Sequence, residues 1–123
     1  MILQITFLLY FSVAPEISKT PEGLTTVEGQ DVVFSCEVEG NPSPNVTWTK
    51  NEQRLNFTAN SRLTASSTNN NHTLTITDVH RSDAGQYRCV ANNSVDTSNS
   101  SAAKLEVRCK YHRRAGTVEI GGR

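Results

Sequence analysis

The chain is 123 residues long, 36% hydrophobic and 7% aromatic, room for one domain with short ends whose strands each bury a single face. Its zero net charge hides a split: residues 15–107 carry seven basic against eleven acidic side chains, and residues 108–123 five against one. An acidic body excludes nucleic acid as the main partner, because phosphate binding needs a basic face.

Residues 1–14, MILQITFLLYFSVA, hold eleven apolar residues and no charge. That is too short for a membrane span of about 20 residues. It fits a signal-peptide core, with Ser12 and Ala14 as small residues at −3 and −1 of a cut. The absence of Lys or Arg before the apolar run and Pro15 after the cut fit a truncated amino end instead.

From Pro15 the chain reads as short strands at regular intervals. Glu16–Lys19 and Leu24–Val27 form two halves of a first edge strand, interrupted by Pro21 and Gly23. Gly29 supplies the permissive backbone of the turn Glu28–Asp31. In Val32–Glu39, residues Val32, Phe34, Cys36 and Val38 alternate inward. Gly40–Pro44 is a stiff connection, after which Val46 and Trp48 point in. Arg54-Leu55 is a short extra strand, and Arg62–Ser67 another, closed by a polar loop at Thr68–Asn71. His72–Thr77 buries Leu74 and Ile76. Asp78–Ala84 is a turn with helical character, and Gln86–Asn92 buries Tyr87, Cys89 and Ala91. A last strand ends at Lys104–Val107. Seven to nine short strands in this order predict an all-β fold of two packed antiparallel sheets.

Cys36, Trp48 and Cys89 organise this pattern. Redox activity and metal ligation are the alternatives for the two cysteines, but Trp48 and Tyr87 in register favour a buried disulfide with a large apolar body packed on it. A bridge closing about 54 residues contributes roughly 4 kcal/mol in the chain-entropy model. The third cysteine, Cys109, lies beyond the last strand. It suits either an intermolecular bridge or a partner that this chain lacks.

Five Asn-x-Ser/Thr triplets occur, at Asn45, Asn56, Asn71, Asn92 and Asn99, where chance gives about two. This excess agrees with an oxidising secretory compartment. By strand alternation Asn45 and Asn92 both point outward from the sheet carrying Trp48 and Tyr87. Glycans there would direct partners to the opposite sheet, which shows Val33, Ser35, Glu37, Glu39, Thr73, Thr75 and Thr77, or to the loops. The phase of Asn99 is open.

Catalysis finds no support. His72, His80 and His112 are scattered, none at a metal-ligand spacing, and His72 and His80 read as solvated loop residues. No nucleophile elbow or phosphate loop occurs, so no cofactor or metal is expected. The basic stretch from Cys109 to Arg114, with Lys110 and Arg113, reads as a disordered solvated linker; contact with lipid or heparin-like polymers is the other reading.

Several motifs stand together in order: Val27-Glu28-Gly29, Cys36, Gly40-x-Pro42-x-Pro44-x-Val46-x-Trp48-x-Lys50, Leu74-x-Ile76 and Asp83-x-Gly85-x-Tyr87-x-Cys89. Over residues 15–107 the chain resembles an immunoglobulin-like domain of the I-set type. The short Trp48–Leu74 interval favours that layout over the longer variable type. The resemblance implies a Greek-key β-sandwich over residues 15–108, with 109–123 as a tail. It implies a tyrosine corner at Tyr87 and an ion pair between Arg62 and Asp83, worth at most about 1 kcal/mol if exposed. Where the family often has Gly, the last hairpin has Asn93-Ser94-Val95-Asp96, whose Asn and Asp tolerate left-handed backbone.

Such domains are common in adhesion molecules, receptor ectodomains and matrix proteins. The expected function is therefore an extracellular, secreted or ectodomain module in cell adhesion or matrix assembly. It would bind other proteins, homophilically or heterophilically, neighbouring immunoglobulin domains included. The alternative is one ectodomain module of a receptor tyrosine kinase or phosphatase. A third reading, an intracellular muscle-type domain, would keep the cysteines reduced and the Asn-x-Ser/Thr triplets silent.

Overall fold

The computed structural model describes residues 11–110. The expectations for most of the leader, for His112 and for the tail beyond Lys110 lie outside them. Ten strands form: β1 Val13–Lys19, β2 Leu24–Val27, β3 Val32–Asn41, β4 Asn45–Lys50, β5 Gln53–Arg54, β6 Leu63–Thr68, β7 Asn71–Ile76, β8 Gly85–Asn92, β9 Thr97–Asn99 and β10 Ala103–Arg108. One 3-10 turn, Arg81–Asp83, leads into β8.

Two sheets face each other. One runs β1-β3-β7-β6; the other runs β2-β10-β8-β4-β5, with β9 also beside β8. Neighbours pair antiparallel except β2 and β10, which are parallel. The two halves of the expected first strand thus lie in different sheets. The chain crosses between them at Thr20–Gly23, where buried Pro21 needs no ladder partner. Strand β1 begins at Val13, three residues ahead of the expected start at Glu16, and pairs Val13 with Asn41.

Period-two alternation builds the core, since successive strand side chains face opposite sides. Along β3, Val32, Phe34, Cys36 and Val38 are 5% exposed or less. Trp48 stands directly across from Cys89, and the Phe34 and Tyr87 rings stack with centroids 5.0 Å apart. Fully burying each such side chain contributes roughly 1.5–3 kcal/mol. Val79, Ala103 and Leu105 complete the cluster, although the local pattern around Val79 and Ala103 is too irregular to announce them.

Two turns are made differently from expectation. The connection after β6 is only Asn69-Asn70; Asn69 takes positive φ, and Asn71 already belongs to β7. In the Asn93–Asp96 hairpin no residue takes positive φ among those described. The Asn93 side chain closes that turn, its Oδ1 accepting from the N–H of Val95 at 2.9 Å and of Asp96 at 3.2 Å. A side chain replaces the backbone contortion that glycine would otherwise supply. Gly29, at φ +91°, does use glycine's freedom.

The last strand is split at Ser100, so that β9 and β10 occupy the same edge of β8 in succession. Ser100 is 3% exposed and its Oγ accepts from the Cys89 N–H at 3.0 Å. The hydroxyl thereby satisfies a buried donor that the broken ladder leaves open.

Candidate functional site

The framework is built first. Cys36 and Cys89 form a disulfide that joins β3 to β8 and so bridges the two sheets, with Cα atoms 6.6 Å apart. At the other end of β8's buried face, the Tyr87 hydroxyl donates to the Asp83 carbonyl oxygen at 2.6 Å. Arg62 reaches the Asp83 carboxylate with two nitrogens, at 2.7 and 3.2 Å, and also donates to the Asp78 carbonyl at 3.1 Å. The His80 N–H donates to the same carboxylate at 2.7 Å.

This pair is not the exposed one the sequence allowed for, since Asp83 is only 6% exposed. Burial pushes the Asp83 carboxyl up, but the Arg62 and His80 hydrogen bonds and the Arg62 charge outweigh it and hold the group below its ordinary value. The hydrogen bond to Asp83 raises Arg62 in turn. Burial, then the Asp83 charge, raises the Tyr87 phenol.

His72 is not a loop residue. It lies in β7, half-buried between Cys36 and Ser67 on the neighbouring strands, and burial lowers its pKa. His80 stays exposed at the head of the 3-10 turn, 3.7 Å from Asp78. Among the described residues no group of three or more His, Cys, Asp or Glu is placed to hold a metal ion. No described helix is long and apolar enough to cross a membrane. Cys109 is exposed and outside the disulfide, with an Arg81 guanidinium nitrogen donating to its sulfur at 3.1 Å.

All five triplet asparagines are exposed. Residues opposite one another in a ladder share a face, so register sorts them. Asn45 lies across from Asn92, and Asn92 across from Thr97, to whose hydroxyl its Nδ2 donates at 2.6 Å. The next row joins Thr47, Val90 and Asn99. Asn45, Asn92 and Asn99 therefore stand together on the outer face of the larger sheet. The phase of Asn99 comes from the β8–β9 register and could not be read from the last strand alone.

Asn71 lies on the outer face of the other sheet, across from Glu37 and Thr68. Carrying the alternation back from Leu74 would have found it. The rest of that face is rich in hydroxyls, with Ser35, Thr73 and Ser66 in one row and Val33, Thr75 and Thr64 in the next. Val33 is 52% exposed. Asn56 sits apart, in the connection between β5 and β6.

The amino-terminal and carboxy-terminal ends of the sandwich are held by different devices. Asn93 Nδ2 donates to the carbonyls of Val13 at 2.8 Å and Pro42 at 3.0 Å, tying three segments where β1 begins. The Glu28 carboxylate accepts from the Lys110 N–H where β10 ends. Since β3 starts beside the latter end and finishes beside the former, β1 begins and β10 ends at opposite poles, about 30 Å apart along ten strand residues.

The sequence profile of the immunoglobulin I-set domain matches residues 15–107. Sidekick-2 of Gallus gallus is 34% identical over 97 residues, which is 79% of this chain and 4% of that protein. Human neogenin is 39% identical over 84 residues, 68% of this chain and 6% of the other. The chain thus spans about a twentieth of the length of these relatives. Among solved structures, the titin M10–obscurin-like 1 immunoglobulin complex superposes with a TM-score of 0.74 at 31% identity, covering 82% of this chain and 99% of the other. With the disulfide, the corner tyrosine and the two-sheet topology in place, the chain belongs to the immunoglobulin I-set domain family.

Proposed function

We propose that this chain is an extracellular protein-binding or spacer module acting in cell adhesion or matrix assembly. The observation that carries this reading is the crowding of Asn45, Asn92 and Asn99 on one outer sheet face of a disulfide-bonded domain. Glycans on that face would leave partners the opposite sheet, away from Asn71, and the poles. A β1 that begins and a β10 that ends at opposite poles suit a spacer, because successive modules can follow end to end without covering either sheet. The titin M10–obscurin-like 1 complex, between immunoglobulin domains, supports a further domain of this kind as partner. Cys36, Trp48, Arg62, Asp83, Tyr87 and Cys89 hold the fold.

The experiment is expression in secreting animal cells with peptide mapping before and after deglycosylation, followed by aggregation of beads coated with the secreted chain. The expected result is glycan at Asn45 or Asn92, an oxidised Cys36–Cys89 pair and beads that cluster or capture cell-surface protein. Retention in the cytosol with both cysteines reduced would overturn the reading in favour of the muscle-type one. Asn45 and Asn92 both unmodified in the secreted protein would sink the shielded face.

A further inference from the structure

On the open side of the sandwich, between β4–β5 of one sheet and β6 of the other, lies a cleft of about 580 Å³. That is within the range of small-ligand sites. Val46, Trp48, Leu55, Phe57 and Ala65 give it a largely apolar lining, and the exposed Asn56 lines it too. Leu55 and Phe57 are half-buried and pack on the core, so the cleft is a continuation of the core reaching the surface.

Asn56 heads the triplet Asn56-Phe57-Thr58. Its Oδ1 accepts three hydrogen bonds, from the Thr58 N–H at 3.0 Å, the Thr58 hydroxyl at 2.7 Å and the Ala59 N–H at 3.2 Å. A carbonyl oxygen held this way fixes the amide and leaves Nδ2 as its free donor. Nδ2 makes no hydrogen bond among the described residues. The glycan-acceptor residue therefore lines the apolar cleft, whereas Asn45, Asn71 and Asn92 stand on sheet faces.

We propose that this cleft is the seat of an N-glycan core carried on Asn56 itself. The inference rests on the extracellular reading and goes beyond it by giving one sugar chain a structural place. The modification joins Asn56 Nδ2 to C1 of N-acetylglucosamine from a lipid-diphosphate-linked oligosaccharide. The N–C1 bond forms, the C1–O bond to the diphosphate breaks, the amide gives up one proton and the lipid diphosphate leaves. The first sugar rings then lay their C–H faces on Leu55, Phe57 and Ala65, over the buried Trp48, removing apolar surface from water. Their hydroxyls stay toward solvent and Arg54, which also lines the cleft.

The test uses the secreted, fully glycosylated chain. Glycoamidase is applied without denaturant, and release at each site is followed by peptide mapping. A seated glycan at Asn56 should leave at least tenfold more slowly than glycans at the sheet-face sites. Thermal melting gives a second measurement, on a variant retaining only the Asn56 triplet (Thr47→Ala, Thr73→Ala, Ser94→Ala, Ser101→Ala). Trimming to one N-acetylglucosamine should keep most of the Tm, and removing that last sugar should lower it by about 4 °C. Equal release rates, an unchanged Tm, or an unmodified Asn56 beside modified neighbours would overturn the seat and leave the extracellular reading intact. No modification at any of the five sites in the secreted chain would overturn the seat and the shielded face together, whereas only retention in the cytosol with reduced cysteines would overturn the extracellular reading.

Discussion

Tyr87 and Asp83 are joined by a 2.6 Å hydrogen bond from the phenol to a backbone carbonyl four residues upstream, inside the core. The same Asp83 receives Arg62 and the His80 N–H on its carboxylate. One residue therefore locks the turn between β7 and β8 from both its backbone and its side chain.

Tyr87→Phe keeps the ring stacked on Phe34 but strands the Asp83 carbonyl. The expected loss is about 1–3 kcal/mol, the cost of leaving a buried acceptor unsatisfied, measured from urea unfolding at pH 7. Because the folded phenol titrates above its ordinary value, wild-type stability is complete below about pH 10 and falls as pH rises beyond it. The gap between wild type and Tyr87→Phe should narrow above pH 10. A gap constant to pH 11 would contradict the buried hydroxyl.

Asp83 gives the opposite slope. Its folded carboxyl titrates below the unfolded one, so the unfolded chain takes up protons first as the solution is acidified. The stabilisation is complete above the ordinary carboxylate value near pH 4 and is lost as pH falls through the depressed one. Asp83→Asn should be the less stable protein at pH 7 and should lose less stability between pH 5 and pH 2. Parallel pH profiles for the two proteins would exclude a strong Arg62–Asp83 coupling.

Removing the inter-sheet bridge by Cys36→Ala or Cys89→Ala should cost about 2–5 kcal/mol, the range for small secreted domains. Trp48→Ala should cost about 3–5 kcal/mol as a large-to-small change at a site 1% exposed. Urea midpoints for the three variants check both figures. A midpoint that hardly moves for Trp48→Ala would mean the indole does not carry the core.

Asn93→Ala tests the pole where β1 begins. The change removes the two turn bonds and the two that hold the Val13 and Pro42 carbonyls. A loss of about 1–2 kcal/mol is expected, since exposed hydrogen bonds contribute less than buried ones. Hydrogen exchange should quicken first in Val13–Ile17 and in the β8–β9 hairpin. The Asn92-x-Ser94 triplet survives this substitution, so its glycan occupancy should not change.

The sequence alone determined the parts of this protein that repeat with a local period or sit at fixed spacing. Val32, Phe34, Cys36 and Val38 announce a half-buried strand, and Cys36, Trp48, Tyr87 and Cys89 announce two sheets and the residues that join them. Turn chemistry was legible where glycine carries it, as at Gly29, and was misjudged where a side chain does, as at Asn93. Only the tertiary structure decided which outward residues share a face. Asn99 joins Asn45 and Asn92 because β9 breaks from β10 at Ser100 and pairs with β8 in a register that no local pattern encodes. Asn56 shares a cleft with Trp48 and Ala65 because the successive strands β5 and β6 lie at the edges of different sheets, which come together on the open side. Alternation fixes the inside of a strand from its own residues, whereas a surface is assembled from several strands, and their register is set by the packing of the whole core.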